Sequence, residues 1–285
     1  MRLIISVFFS IVSICSSAQT PDREDWDIWQ SNYQDESTIR YVYANKVLVR
    51  NDSSTNGLVL DTLLNGEKIR LLRKTKSFST INNVYAPWMQ IEYANGKKGY
   101  VWLGLISFQQ LIKEDTVFMY GINRISVNAS NADYDERQIH IGLKAVYQLK
   151  LLDKKEWPIA ADESSSFAQS KLLGNMGLQN IHEIARINIG GEACGIPSNY
   201  FYHGWNGEKF FDLPRKYTVG DADVFSHVET LLFPAEKGGK PGYIVKVVEE
   251  EEMIEEEKNN KPAKYKRKNS RELYTWNGVE AVKVK

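Results

Sequence analysis

Apolar positions along this chain recur in short runs rich in β-branched and aromatic residues, and turn-forming residues bound each run. Within residues 41–107, Val47, Leu48 and Val49 precede the turn Asn51-Asp52-Ser53-Ser54, and the run at 58–64 stops at Asn65-Gly66. Both residues of an Asn-Gly pair tolerate positive φ, so the pair marks a tight hairpin. The strand pattern resumes at 69–72. After a polar loop Trp88, Gln90-Ile91 and Tyr93 alternate, Asn95-Gly96 turns again, and Gly99-Tyr100-Val101-Trp102 closes the series. About five short strands joined by tight turns predict a small closed β-barrel.

Beyond a lead-out segment at 108–113, apolar runs fall at 117–120, 139–152, 181–189, 200–205, 228–233, 243–248 and 273–276. They are rich in Val, Ile and Tyr, and Gly, Pro, Asn and Asp separate them. No long 3.6-residue period appears. The expected fold class is therefore mainly all-β: a small SH3-like barrel over 38–110, then a larger antiparallel β domain over 114–285, partial-propeller-like or a sandwich. Two stretches of that second region echo each other, YHGWNGEKF at 202–210 and LYTWNGVEA at 273–281. Each reads as an aromatic strand, a Trp-Asn-Gly turn and a returning strand, with a further strand before it. The unit loosely resembles blades of FG-GAP-like propeller repeats. EEEEMIEEE at 249–257 faces KNNKPAKYKRK at 258–268 across a turn composition. Folding back there sets glutamates against Lys264, Lys266 and Lys268, which predicts a long exposed hairpin with a frayed tip.

The barrel stretch carries a more specific pattern. YVYANKVLVR, LLNGEKIRLL and WMQIEYANGKKGYV together resemble the opening, middle and closing strands of the bacterial SH3-like (SH3b) domain family. The resemblance covers roughly a quarter of the chain. Leu48 stands where that family usually has Asn, and the 75–87 loop is longer than in its compact members. The resemblance implies a domain that targets cell-wall peptide or glycan, or that packs against a partner domain.

Composition narrows the partners. The 285 residues contain 36 Lys+Arg and 36 Asp+Glu, so net charge is zero and nothing favours nucleic acid or an anionic membrane. Arg2, the apolar run at 3–14 and Ser16-Ser17-Ala18 read as a signal peptide over 1–18, with a polar linker over 19–37 that carries Trp26 and Trp29. The apolar run is too short to span a membrane, which takes about 20 residues. The expected location is periplasmic or extracellular. Only Cys194 remains once the signal is removed, which leaves no intrachain disulfide and no cysteine-based zinc site.

Candidate chemistry is sparse. Cys194 with His203 and Asp221 would suit a cell-wall hydrolase, yet Cys194 lies in a Gly-rich turn without the Asp-Cys-Ser-Gly signature or a following helix. His140, His182, His203 and His227 show no metal-binding spacing. The 128–136 loop is rich in oxygen ligands but lacks the Gly and Glu of a calcium loop. Aromatic residues of the barrel remain as a peptide or sugar groove: Tyr41, Tyr43, Tyr85, Tyr100 and Trp102, with Tyr43 and Tyr85 facing outward and Trp88 plugging the core. The expectation is an exported non-catalytic binding or scaffold protein, with no cofactor and no metal. Its partner is cell-wall peptidoglycan or an envelope protein. The alternatives are the hydrolase and a purely structural interaction module.

Overall fold

A computed structural model describes residues 38–128, 136–160, 167, 169–191, 194–222, 224–256 and 262–284. The signal and linker segments, most of the oxygen-rich loop and the tip of the charged hairpin lie outside these residues. Among the described residues the apolar runs form antiparallel strands, and one short 3-10 turn, Leu103–Leu105, is the sole helical element. The protein is all-β, as its residue pattern predicts.

The first sheet contains β1 (Ile39–Tyr41), β2 (Lys46–Arg50), β3 (Val59–Leu64), β4 (Lys68–Ile81), β5 (Val84–Tyr93) and β6 (Lys97–Trp102). Its order is β1-β4-β5-β6-β2-β3, a curled half-barrel of six strands rather than a closed ring of five. Side chains on a strand alternate between faces, so Val47 and Val49 of β2 point inward while Lys46 and Leu48 meet solvent. Bulges between Leu71 and Arg73 and between Lys74 and Phe78 bend the long β4–β5 hairpin and strengthen its twist. Asn95 (φ 62°) and Gly96 (φ 82°) make the β5–β6 turn in the left-handed region that this dipeptide tolerates. Trp88 does sit in the half-barrel core, with its indole N–H donating to Ser79 Oγ at 2.9 Å.

The second sheet is a meander, β10-β9-β8-β7, built from β7 (Gln109–Lys113), β8 (Thr116–Asn128), β9 (Glu136–Tyr147) and β10 (Lys150–Ala160). Residues 109–113, read from sequence as a lead-out, are thus the first strand of this sheet. The third sheet contains β11 (Lys171–Leu172), β12 (Glu183–Ile189), β13 (Ser198–Trp205), β14 (Phe210–Asp212), β15 (Lys216–Asp221), β16 (Phe225–Leu232), β17 (Tyr243–Glu255), β18 (Lys264–Trp276) and β19 (Ala281–Lys283). These follow one another as a nine-stranded meander, with β14 pairing beside β13.

The echoed Trp-Asn-Gly stretches form the same turn twice within this one continuous sheet. Asn206 Oδ1 accepts the N–H groups of Glu208 and Lys209, and Asn277 Oδ1 accepts those of Val279 and Glu280. Trp205 then pairs with Phe210 and Trp276 with Ala281. The charge runs pair across β17 and β18 as their signs require: Glu250 opposite Lys268, Glu251 opposite Arg267, Glu252 opposite Lys266. Lys268 and Arg267 bridge to their partners at 2.9 and 2.5 Å. These are exposed pairs that fix register more than they add stability.

One hydrophobic core runs from Val42 through the half-barrel and the second sheet to Phe210 of the third. A smaller one, centred on Ile184, Tyr202, Phe233 and Ile244, lies under the third sheet alone. The first two sheets are therefore joined through packed side chains.

Candidate functional site

Beside the shared core, Tyr43 makes a second contact between the half-barrel and the second sheet, in a small buried cluster with Met119 and Val146. Its segment, between β1 and β2, is tied down where the Tyr43 and Ala44 N–H groups both donate to Leu105 O. Gly121 of β8 and Gly142 of β9 lie directly opposite each other in the register. With no side chain on either, the two leave a flat slot. The Tyr43 ring fills it: a Cβ on Gly121 would stand 3.1 Å from the ring, and one on Gly142 would run into the hydroxyl. The hydroxyl donates to Asn123 Oδ1 at 2.5 Å, and Asn123 Nδ2 donates to Glu156. Burial pushes the Tyr43 hydroxyl well above its usual range, and the charge on Glu156 adds to the effect.

Lys144, also on β9, lies against the same ring. Its ammonium sits 4.3 Å from the ring centroid and donates to Tyr43 O at 2.6 Å. The side chain is 7% exposed. Burial pulls its pKa down to about 8, with the like charge of Lys154 contributing.

Above this pair opens a cleft of about 370 Å³ between the two sheets. Tyr43, Trp102 and Lys144 form its buried floor, and the exposed Asn82 and Lys154 stand at its mouth with the half-buried Asn123 and Lys155. Lys155 is committed to Asp212 at 2.9 Å. The volume falls at the small end of the range for ligand sites.

Of the five aromatic residues expected to line one groove, Tyr43 and Trp102 meet on the floor of this cleft, while Tyr41, Tyr85 and Tyr100 are not among its lining residues. Tyr43, expected outward, is buried at 3% exposure because the glycine slot of another sheet receives it. Trp102 is buried too, its N–H donating to Ala86 O and Ser79 O. Val101 faces the half-barrel core, so Trp102 points to the opposite face, where the junction covers it. Tyr41, Tyr85 and Tyr100 are half-buried, and Tyr41 packs beside Tyr43 at the junction. The Tyr85 ring stacks on Phe78 across the β4–β5 hairpin, with centroids 4.9 Å apart. Sequence reading missed Lys144, Asn123 and the two glycines. Glycine inside a strand pattern was the available signal, since it marks a close approach by another group.

The hydrolase residues are dispersed. Cys194 is exposed in the loop before β13, where Gly195 N–H donates to Gly220 O beside Asp221. His203 lies near the other end of β13, its Nδ1 3.1 Å from Asp212. Among the described residues no group of three His, Cys, Asp or Glu side chains could hold a metal ion. His140 bonds Ser126, and His227 sits between Glu229 and Glu250.

His203 is packed between Trp157 and Phe210, and its Nε2 is buried without a partner. Burial lowers its pKa from 6.5, outweighing the pull of Asp212. A base whose folded pKa is depressed takes up its proton more readily when unfolded. Stability is therefore whole above about pH 6.5 and falls as pH drops below it. Urea midpoints measured from pH 7.5 to 5 are expected to fall more steeply for the wild type than for His203→Gln. Parallel slopes would exclude His203 as the source. Asp212, held down at about 2 by His203 and then by Lys155, acts in a separate and more acidic window, between its usual 3.8 and about 2.

The fold and site together define an all-β protein, its described residues forming three antiparallel sheets with a lysine-lined cleft where the first two meet. No protein-family model matches the chain, nor does any curated protein or solved structure compared with it. Among the described residues no helix is long and apolar enough to cross a membrane.

Proposed function

We propose that this is an exported, non-catalytic binding and scaffold protein of the bacterial envelope, whose half-barrel recognises cell-wall peptide or glycan, or an envelope protein. The export reading rests on the first 18 residues, and the ligand class on the SH3b resemblance of residues 41–107. The observation that carries recognition is the stacked, half-buried Phe78–Tyr85 pair on the β4–β5 hairpin. Two rings locked against each other offer contact area to a peptide or sugar at little cost in side-chain entropy. No bond needs to be broken for this role.

Co-sedimentation of the mature protein with purified peptidoglycan tests the proposal. The wild type is expected to pellet with the wall, and Tyr85→Ala or Phe78→Ala to weaken binding about tenfold or more, as loss of a central aromatic anchor does. Failure of the wild type to pellet at both low and physiological salt would remove the wall as ligand and leave an envelope protein. A purely structural role is the second reading, favoured by the burial of Tyr43 against the second sheet. It predicts that neither substitution changes any binding.

A further inference from the structure

We infer that the cleft between the half-barrel and the second sheet is a binding site for a carboxylate, held by Lys144 at its floor and Lys154 at its mouth. This goes beyond the wall-recognition reading and is independent of it, since Phe78 and Tyr85 are not among the residues that line the cleft.

The argument starts from an uncompensated charge. Lys144 is buried, at 7% exposure, yet its one side-chain hydrogen bond is to a neutral carbonyl, Tyr43 O. Among the described residues no carboxylate lies within ion-pair distance of it. A buried ammonium of this kind is costly unless an anion or several acceptors replace its lost hydration. The Tyr43 ring face supplies part of that, and one carbonyl supplies one of the three acceptors the ammonium can use. The remaining protons have the cleft before them.

Neighbouring groups set the class of ligand. Facing Lys144 are Tyr43 from the segment after β1, Asn123 from β8, and Lys154 and Lys155 from β10. Tyr43 stays protonated, because burial raises its pKa. Lys155 is already neutralised by Asp212, and Glu156 is held at the margin by Asn123 and Arg124. Two cations, Lys144 and Lys154, are thus left without an acidic partner among the described residues. Two point-charge ammoniums suit the two oxygens of a carboxylate. A phosphate dianion would more often meet the planar fork of an arginine, and among the described residues no arginine lines the cleft. Asn45, Asn82 and Asn123 add amide donors and acceptors of the kind that pair with a peptide backbone. A peptide C-terminus and a small free dicarboxylate both present this chemistry.

The lowered pKa of Lys144 gives the site a signature that structure alone would not produce. A bound carboxylate favours the ammonium, so binding near pH 8 takes up about half a proton, and affinity falls about tenfold for each pH unit above about 8. Calorimetric titration of the full chain tests this in two buffers of different ionisation enthalpy. The probes are acetyl-alanyl-alanine, its C-terminal amide, succinate and inorganic phosphate. Binding of the free-acid dipeptide but not its amide assigns the peptide terminus, and binding of succinate alone assigns the free dicarboxylate. Either must come with buffer-dependent proton uptake, and Lys144→Met must weaken it tenfold or more. Lys154→Met keeps the floor intact and is expected to move the pH break upward, because it removes the like charge beside Lys144. The inference is overturned if no carboxylate binds, if phosphate alone binds, if binding takes up no proton, or if the break stays in place in Lys154→Met. The last two readouts hold even if Lys144→Met does not fold.

Discussion

Tyr43→Ala is expected to lower the free energy of unfolding by about 3–5 kcal/mol, the range for removing a buried aromatic ring. The ring is 3% exposed and covers the slot formed by Gly121 and Gly142, so its loss opens a cavity whose glycine floor has no side chains to refill it. The same change withdraws the ring face from Lys144 and the hydroxyl from Asn123. Tyr43→Phe keeps the packing and deletes only the hydroxyl, for which about 1 kcal/mol is expected. Equilibrium urea unfolding measures both. Had Tyr43 faced solvent, as alternation from Tyr41 allowed, the alanine variant would lie within about 0.5 kcal/mol of the wild type. A value that small would refute the junction described above.

Phe118→Ala is expected to be comparably damaging, at about 3–5 kcal/mol, and for a reason that involves different sheets. Phe118, on β8, is 1% exposed. Its ring meets Trp205 edge-on at 5.7 Å and Phe210 at 6.0 Å, both on the third sheet. Phe118 therefore links the second sheet to the third as Tyr43 links the first to the second. Phe118→Leu retains most of the volume and should cost less than about 1.5 kcal/mol. Since one core runs through all three sheets, the wild type is expected to unfold in a single transition by both fluorescence and circular dichroism. Separation of the two probes in Phe118→Ala would show that this contact couples the sheets. A cost below about 1 kcal/mol would show that it does not.

Taken together, Tyr43 and Phe118 pack neighbouring sheets against one another on both sides of the second sheet. The pattern changes near residue 110, and the sheets do change there. Packing does not: Val42 and Phe210 belong to the same core. The cleft arises from this arrangement, because a half-barrel laid against a second sheet leaves a seam, and polar groups such as the buried Lys144 and the half-buried Asn123 collect along it.

Much of the fold was legible because its causes are local. Asn-Gly at 65–66, 95–96, 206–207 and 277–278 marks turns whose geometry depends on four adjacent residues. Val47 and Val49 announce an inward face by period 2 alone. The opposed charges of 249–268 favour folding back on themselves, because that sets Glu250, Glu251 and Glu252 opposite Lys268, Arg267 and Lys266. The candidate site was hidden for the opposite reason. Period 2 separates the two faces of a strand but does not say which face another sheet will cover, so Tyr43 read as outward. Lys144 looked like an ordinary strand lysine: Gly142 beside it marks a close approach by some group, but nothing local says that the group is Tyr43, 101 residues away. By itself the sequence determined the strands, the turns, the all-β class and the charged hairpin, each set by short-range sterics and periodicity. Tertiary structure alone decided which aromatic rings are buried, where the sheets join and where an unpaired ammonium meets a cleft, because those depend on contacts between segments far apart in the chain.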